Sequence, residues 1–142
     1  DTLSLHDALP ISLQALQPVA AVRGGKLHLV FGCGGNRDVS KRPLMVAVAQ
    51  QYAQAIIITN DNPRDESPAA IAAQIAMTAP SAQVQLDRAA AIAQTIAGVT
   101  AQEVVLIAGK GHETTQTIAG VISDFSDISH ARAALDKHWG RA

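Results

Sequence analysis

The chain has 142 residues, the length of one domain, which is enough to bury a sizeable core. Its hydrophobic fraction is 48% but only 3% is aromatic, so that core must be built from alanine, valine, isoleucine and leucine. The net charge of -1 and the pI of about 6.6 give no basis for binding nucleic acid or an anionic membrane. No apolar run approaches the roughly 18 residues of a membrane-spanning helix. The single cysteine, Cys33, excludes an internal disulfide and is typical of a reducing compartment.

Residues 1–12, DTLSLHDALPIS, resemble the translation of a sequencing adapter. They lack the basic start and the continuous apolar stretch of a signal peptide. The alternative is a genuine short amphipathic helix that uses the apolar residues Leu3, Leu5, Ala8 and Leu9. We expect the segment to be non-native and to pack on nothing, so that the chain is a fragment whose single domain occupies residues 13–142.

Short apolar runs and helical apolar spacing alternate along the rest of the chain. The apolar runs predict buried strands near residues 27–33, 55–60, 83–87 and 103–108. Helices are predicted between them, and their starts are marked by Pro43, Ser67-Pro68, Arg88, and Ser126 or Asp127. A hairpin is predicted near residues 115–124. Strands that alternate with helices predict an α/β fold with a mostly parallel sheet and helices on both faces.

In such sheets the functional loops lie at the carboxyl ends of the strands. The loop after the second strand reads Asp61-Asn62-Pro63-Arg64 and places a carboxylate, an amide and a guanidinium in one turn that proline stiffens. Both charges needed to hold an amino acid by its ammonium and carboxylate are present, and an arginine can grip a carboxylate with two parallel hydrogen bonds. The alternative is an ordinary strand-to-helix turn, because Asn-Pro is a common loop signal.

The loop after the first strand is rich in glycine and in positive charge. It reads GCGGNRD over residues 32–38, followed by Lys41-Arg42-Pro43. A dinucleotide-binding G-x-G-x-x-G spacing fails, because Arg37 stands in place of the third glycine. Three cations beside a helix start, Arg37, Lys41 and Arg42, suit a carboxylate or a phosphate. The alternative is a solvated basic loop.

The loop after the fourth strand reads Gly109-Lys110-Gly111-His112-Glu113. It is neither a P-loop nor a zinc-protease motif, because the required glycine and the second histidine are missing. Its Glu113 can accept hydrogen bonds from a substrate ammonium. An isolated histidine is more often structural or solvated than a ligand, and we predict no metal site. We also expect Cys33 to be a buried, inert thiol, because no activating histidine lies near it in sequence.

The three loop motifs together, GCGGNRD with KRP, DNPR and AGKGHE, resemble the C-terminal domain of Mur ligases in order and approximate spacing. They are most similar to the members that add meso-diaminopimelate, because lysine-adding relatives usually lack the DNPR arginine. The resemblance covers residues 26–134 and implies a Rossmann-like three-layer sandwich that receives the incoming amino acid. It implies that the diaminopimelate-contacting positions are Arg37, Asp61, Asn62, Arg64, Gly109 and Glu113. Candidate contacts to the ATP site are Asp38, Lys41 and Arg42.

The activity implied by the resemblance is ATP-dependent amide formation in cytoplasmic peptidoglycan precursor synthesis. An amine of diaminopimelate would attack the activated glutamate side chain of UDP-MurNAc-L-Ala-D-Glu. ATP, Mg²⁺ and the nucleotide substrate would be held mainly by domains outside these residues, so we expect no catalytic residue and no metal ligand here. Two alternatives remain open: another Mur-type or folylpolyglutamate-type ligase, and a non-catalytic Rossmann-like binding module.

Overall fold

The computed structural model describes residues 5–35, 39–110 and 113–140, with side chains from residue 8 onward. Helices and strands follow one another along these residues in the predicted alternating order. They are α1 (Leu5–Arg23), β1 (Leu27–Phe31), α2 (Lys41–Tyr52), β2 (Ala55–Ile58), α3 (Pro68–Ala76), β3 (Gln83–Val84), α4 (Arg88–Gly98), β4 (Val104–Ile107), β5 (Thr115–Ile118), β6 (Val121–Asp124) and α5 (Asp127–Trp139).

The first four strands form one parallel sheet in the order β3-β2-β1-β4. The strand β1 is central, so that Leu29 pairs with Ile56 of β2 on one side and with Leu106 of β4 on the other. The strands β5 and β6 form a separate antiparallel hairpin. The predicted mostly parallel sheet and the predicted hairpin are therefore confirmed.

Alternation along the strands divides the core into two halves. Leu29 and Phe31 of β1 point to the face covered by α1, α2 and α3, whereas Val30 between them points to the face covered by α4 and α5. All three side chains are at most 1% exposed. Helices on both faces of one sheet make the predicted three-layer sandwich. No helix in the described residues is long and apolar enough to span a membrane.

Local capping explains where the helices begin. The side-chain oxygens of Ser67, Asp87 and Ser126 each accept a hydrogen bond from a backbone N–H three residues later, at 3.2 to 3.3 Å. The strand β3 ends at Val84 rather than at the predicted residue 87, which is the N-cap of α4 instead.

The expectation that residues 1–12 pack on nothing is wrong for the described side chains. The helix α1 passes through this segment, and Leu9 is 1% exposed in the core beneath the sheet. Leu9, Leu13 and Leu16 follow the spacing of one helix face, and all three pack into this core. The adapter origin of the segment and the domain boundary at residue 13 stay predictions.

Replacing Leu9 by alanine should lower the free energy of unfolding by about 2–5 kcal/mol, because the change deletes a fully buried side chain and leaves a cavity. Urea unfolding followed by far-UV circular dichroism measures the effect. The matched control is Ile11→Ala on the exposed side of the same helix, where the side chain is 59% exposed and the change should stay within about 0.5 kcal/mol. Equal stability of Leu9→Ala and the wild type would restore the view that this segment contributes nothing.

Candidate functional site

The three charged loops meet at the carboxyl edge of the parallel sheet, as the sequence predicted. A Cβ atom at Gly32 would lie 2.1 Å from the Thr59 carbonyl oxygen, and one at Gly109 would lie 3.6 Å from the Asp61 carboxyl carbon. Gly109 also has a φ of 118°, which side chains rarely adopt. Glycine at position 32 therefore lets the first two loops approach at backbone distance, whereas Gly109 is favoured by its backbone conformation.

The first loop packs directly on the Asp61–Arg64 turn. The Gly35 N–H donates to the Asn62 carbonyl oxygen at 2.7 Å, and a Cβ at Gly35 would lie only 1.8 Å from the Pro63 oxygen. In return, Nη1 of Arg64 donates to the Gly35 carbonyl oxygen at 2.9 Å. The guanidinium of Arg64 is thus held where the first two loops join.

The hairpin fixes the other side of the same turn. The Arg64 N–H donates to the Thr117 oxygen at 3.0 Å, and the Ala119 N–H donates to the Arg64 oxygen at 2.6 Å. Nε2 of the buried Gln116 donates to the Asp61 carbonyl oxygen at 2.8 Å. These bonds hold the Arg64 backbone at a φ of 55°, a left-handed conformation that costs a non-glycine residue about 1–2 kcal/mol. The sequence predicted the hairpin but not its role as the support of the turn.

Asn62 and Glu113 are brought together across the second and third loops. Nδ2 of Asn62 donates to Oε2 of Glu113 at 3.2 Å, and the Glu113 side chain is exposed. The carboxylate of Asp61 lies deeper, and burial raises its pKa, while the neighbouring charges of Arg88 and Lys110 act in the opposite direction. Its Oδ1 atom is buried and has no hydrogen-bond partner among the described residues. The exposed Glu113 is therefore the carboxylate best placed to meet a ligand.

Lys110 lies beneath these groups and is only 3% exposed. Its Nζ donates to the Thr115 carbonyl oxygen at 2.8 Å and to Oδ1 of Asn62 at 3.1 Å, and it lies 3.7 Å from Oδ1 of Asp61. Burial lowers the pKa of Lys110, and the negative charge of Asp61 opposes that shift. No role was predicted for this residue from the sequence, except that it does not belong to a P-loop.

A buried ion pair forms the floor below the second and third loops. The guanidinium of Arg88 grips both carboxylate oxygens of Asp127 at 2.7 Å. It also donates to the carbonyl oxygens of Asn60 at 2.8 Å and Ala108 at 3.0 Å. One side chain therefore joins the starts of α4 and α5 to the ends of β2 and β4. The sequence analysis missed this pair, although Arg88 lies at helical spacing from the buried Ala91, Ile92 and Thr95.

The cations of the first loop have different surroundings. Arg42 is 1% exposed, and its guanidinium binds both carboxylate oxygens of Glu66, at 3.1 and 2.9 Å, and the Gln74 side chain at 2.7 Å. It also donates to the Gly34 carbonyl oxygen at 3.2 Å, so these contacts support the loop from within. Lys41, in contrast, is exposed at the start of α2. Arg37 and Asp38 lie outside the described residues.

Cys33 is buried at 6% exposure, as predicted. Burial raises the pKa of its thiol to about 12, a shift that the nearby Arg42 charge reduces and the Asp61 charge increases. A thiol with this pKa is protonated at neutral pH and is therefore a poor nucleophile.

Cavity size alone would place the site elsewhere. A cavity of about 590 Å³ opens at the amino ends of the strands, between Gln54, Ser81 and Gln94. Its lining holds neutral amides and small side chains with the half-buried His28, whereas the carboxyl edge gathers both signs of charge on three loops. We assign the candidate site to the carboxyl edge, because charge complementarity is what recognises a small ionic ligand. Within the described residues, no group of three His, Cys, Asp or Glu side chains could hold a metal ion.

A doubly covered parallel sheet with charged loops at its carboxyl edge defines an α/β domain of the kind in which ligands bind at that edge. Residues 8–111 match the family described as "Mur ligase, glutamate ligase domain", and the chain belongs to this family.

The relatives agree with the family match. The chain is 57% identical over 139 residues to a UDP-N-acetylmuramoyl-L-alanyl-D-glutamate–2,6-diaminopimelate ligase of Acidovorax sp., covering 96% of this chain and 28% of that protein. It is 50% identical over 132 residues to the ligase of the same name from Ralstonia nicotianae, covering 91% and 26%. A solved structure with that name matches with a TM-score of 0.83 at 38% identity, covering 96% of this chain and 28% of the other. The chain thus spans little more than a quarter of the length of these relatives.

Replacing Asp127 by asparagine should lower the free energy of unfolding by about 3–5 kcal/mol, because it leaves the Arg88 guanidinium buried without its counter-charge. Urea unfolding measures the effect. Asp124→Asn is the matched control, since Asp124 is exposed on β6 and its change should stay within about 0.5 kcal/mol. Similar losses in both variants would show that the pair does not hold the floor of the site.

Proposed function

We propose that this chain is the amino-acid-binding domain of an ATP-dependent ligase that adds meso-diaminopimelate to UDP-MurNAc-L-Ala-D-Glu in peptidoglycan precursor synthesis. The observation that carries the proposal is that Arg64 and Glu113, of opposite charge, both form hydrogen bonds with Asn62 at the carboxyl edge. The proposal is also supported by the 57% identical Acidovorax relative, whose name includes 2,6-diaminopimelate.

The two charges suit the two kinds of group that an amino acid presents. The Arg64 guanidinium can pair with the carboxylate at the far end of diaminopimelate, because its hydrogen bonds to the described residues all run from Nη1. Arg37 is its proposed helper from the neighbouring loop. The Glu113 carboxylate can accept hydrogen bonds from a substrate ammonium. Asp61, Asn62 and Gly109 complete the set of proposed contacts.

The proposed share of this domain in the reaction is position and orientation, which can supply a large part of the barrier reduction. Phosphoryl transfer from ATP, with Mg²⁺, would activate the glutamate carboxylate, and the proposed site for both lies mainly in the rest of the ligase. From this chain, Lys41 and Asp38 remain proposed contacts to the ATP site, and the exposure of Lys41 supports its role. The contacts of Arg42 with Glu66 and Gln74 favour an internal role for that residue instead.

The test of substrate choice is Arg64→Ala in a full-length chimera, in which this chain replaces the matching 28% of the Acidovorax ligase. Loss of one member of a partly buried charged pair costs about 2–5 kcal/mol. The kcat/KM for diaminopimelate should therefore fall roughly 30-fold to several-thousand-fold. Lysine as substrate should lose much less, because it has no second carboxylate.

Arg64→Lys is the matched control, because it keeps the positive charge. It should rescue only part of the activity, since an ammonium cannot make two parallel hydrogen bonds. An equal fall in kcat/KM for both amino acids would mean that Arg64 supports the turn and does not read the substrate.

The isolated 142-residue chain should show no ATP-dependent ligation, because its sequence lacks a P-loop for the nucleotide phosphates. The chimera should be active in the same assay of phosphate release and product formation. Ligation by the isolated chain, free of contaminating full-length enzyme, would refute the division of labour proposed here.

A further inference from the structure

We propose that Lys110 is a positioning residue for the amino-acid site, because its buried ammonium fixes the Asn62 amide, and that amide in turn holds the Glu113 carboxylate. The inference rests on the proposed function, and it adds a residue that the proposed substrate contacts do not include. It rests on the burial of Lys110, the orientation of Asn62 and the contact between Asn62 and Glu113.

The first step is that the Lys110 side chain has no exposed surface, so its charge must be satisfied inside the protein. Its Nζ reaches both halves of the site, because it donates to Thr115 on the hairpin side and to Asn62 on the turn side. The Asp61 carboxylate at 3.7 Å and the Phe125 ring, whose centre lies 5.9 Å away, complete its surroundings. The ammonium thus links the turn to the first residue of β5.

The second step is that the Asn62 amide has only one favourable orientation. Its Oδ1 accepts two hydrogen bonds, one from Nζ of Lys110 at 3.1 Å and one from the Thr117 N–H at 2.9 Å. Rotating the amide by 180° would turn its NH₂ group toward two donors and lose both bonds. Lys110 therefore contributes to directing Nδ2 of Asn62 toward the third loop.

The third step is that Nδ2 of Asn62 holds the Glu113 carboxylate at 3.2 Å. The Glu113 backbone is anchored nearby, since its N–H donates to the Lys110 carbonyl oxygen at 3.0 Å. An exposed glutamate otherwise samples several rotamers, and ordering it on ligand binding costs free energy. A carboxylate already held by Asn62 keeps lone pairs available for an ammonium and avoids much of that cost. Lys110 thus acts on the ligand through Asn62 and Glu113.

The experiment is Lys110→Met in the chimera described above, because methionine keeps most of the side-chain length without the charge or the donors. The KM for diaminopimelate should rise about 10- to 100-fold, the range for losing a hydrogen bond to a charged group. The KM values for ATP and for the nucleotide substrate should stay unchanged. Lys137→Met, at an exposed position of α5, is the control and should leave all three values unchanged.

A double-mutant cycle separates positioning from general support of the fold. In a Glu113→Gln background, Lys110→Met should change the KM for diaminopimelate less than about 2-fold, because the group through which it acts is already altered. Fully additive effects, an unchanged KM in the single variant, or an equal rise in all three KM values would overturn the inference.

Loss of folding and loss of the proposed activity are distinguished as follows. If Lys110→Met loses its far-UV circular dichroism signal, Lys110→Gln takes its place in the same cycle, since it removes the charge and keeps a donor. A wild-type chimera that ligates diaminopimelate but gives additive effects refutes only the role of Lys110. A folded wild-type chimera that does not ligate diaminopimelate refutes the proposed function, and the inference with it.

Discussion

The bidentate pair between Arg88 and Asp127 is the contact on which the geometry of the carboxyl edge depends. The Arg88 guanidinium also binds the carbonyl oxygens of Asn60 and Ala108, which are the last backbone groups before the second and third loops. A buried ion pair adds little net stability over well-packed apolar residues, because both charges must leave water. Its effect here is directional: it fixes where two strands end relative to where two helices begin, and both loops start from those points.

Burial separates the arginines of this edge into two kinds. Arg42 and Arg88 are each 1% exposed, lie at the first turn of a helix and donate from two guanidinium nitrogens or more to protein oxygens. Arg64 is half-buried, and its hydrogen bonds to the described residues all run from one guanidinium nitrogen at the join of two loops. The sequence treats these residues alike as cations near a sheet edge. Their different packing gives the first two a structural role, and it is consistent with the ligand contact proposed for Arg64.

Particular residues show how far the sequence could predict this arrangement. Short apolar runs that alternate with helical segments were sufficient to predict the parallel sheet, since a strand covered on both faces is apolar along most of its length. The spacing of Arg42 with Met45, Val46 and Ala49 follows one helix face and could have indicated its burial. The pairing of Arg88 with Asp127 spans 39 residues and is set by how two helices pack on the sheet. Local patterns in a single sequence do not show that two residues so far apart along the chain are in contact.

The site consists of two layers of charge with different dielectric surroundings. Desolvation raises the pKa of Asp61 and lowers that of Lys110, so burial works against the ionised form of each. Each is among the charges that oppose the shift of the other, and together they remain an ion pair where either alone would be neutralised more easily. Of the other two charged groups, Arg64 is half-buried and Glu113 is exposed. Lys110 of the buried pair donates to the Asn62 amide, and that amide in turn donates to Glu113. The charges proposed to meet a zwitterionic ligand therefore rest on a buried pair whose own geometry is set by the fold.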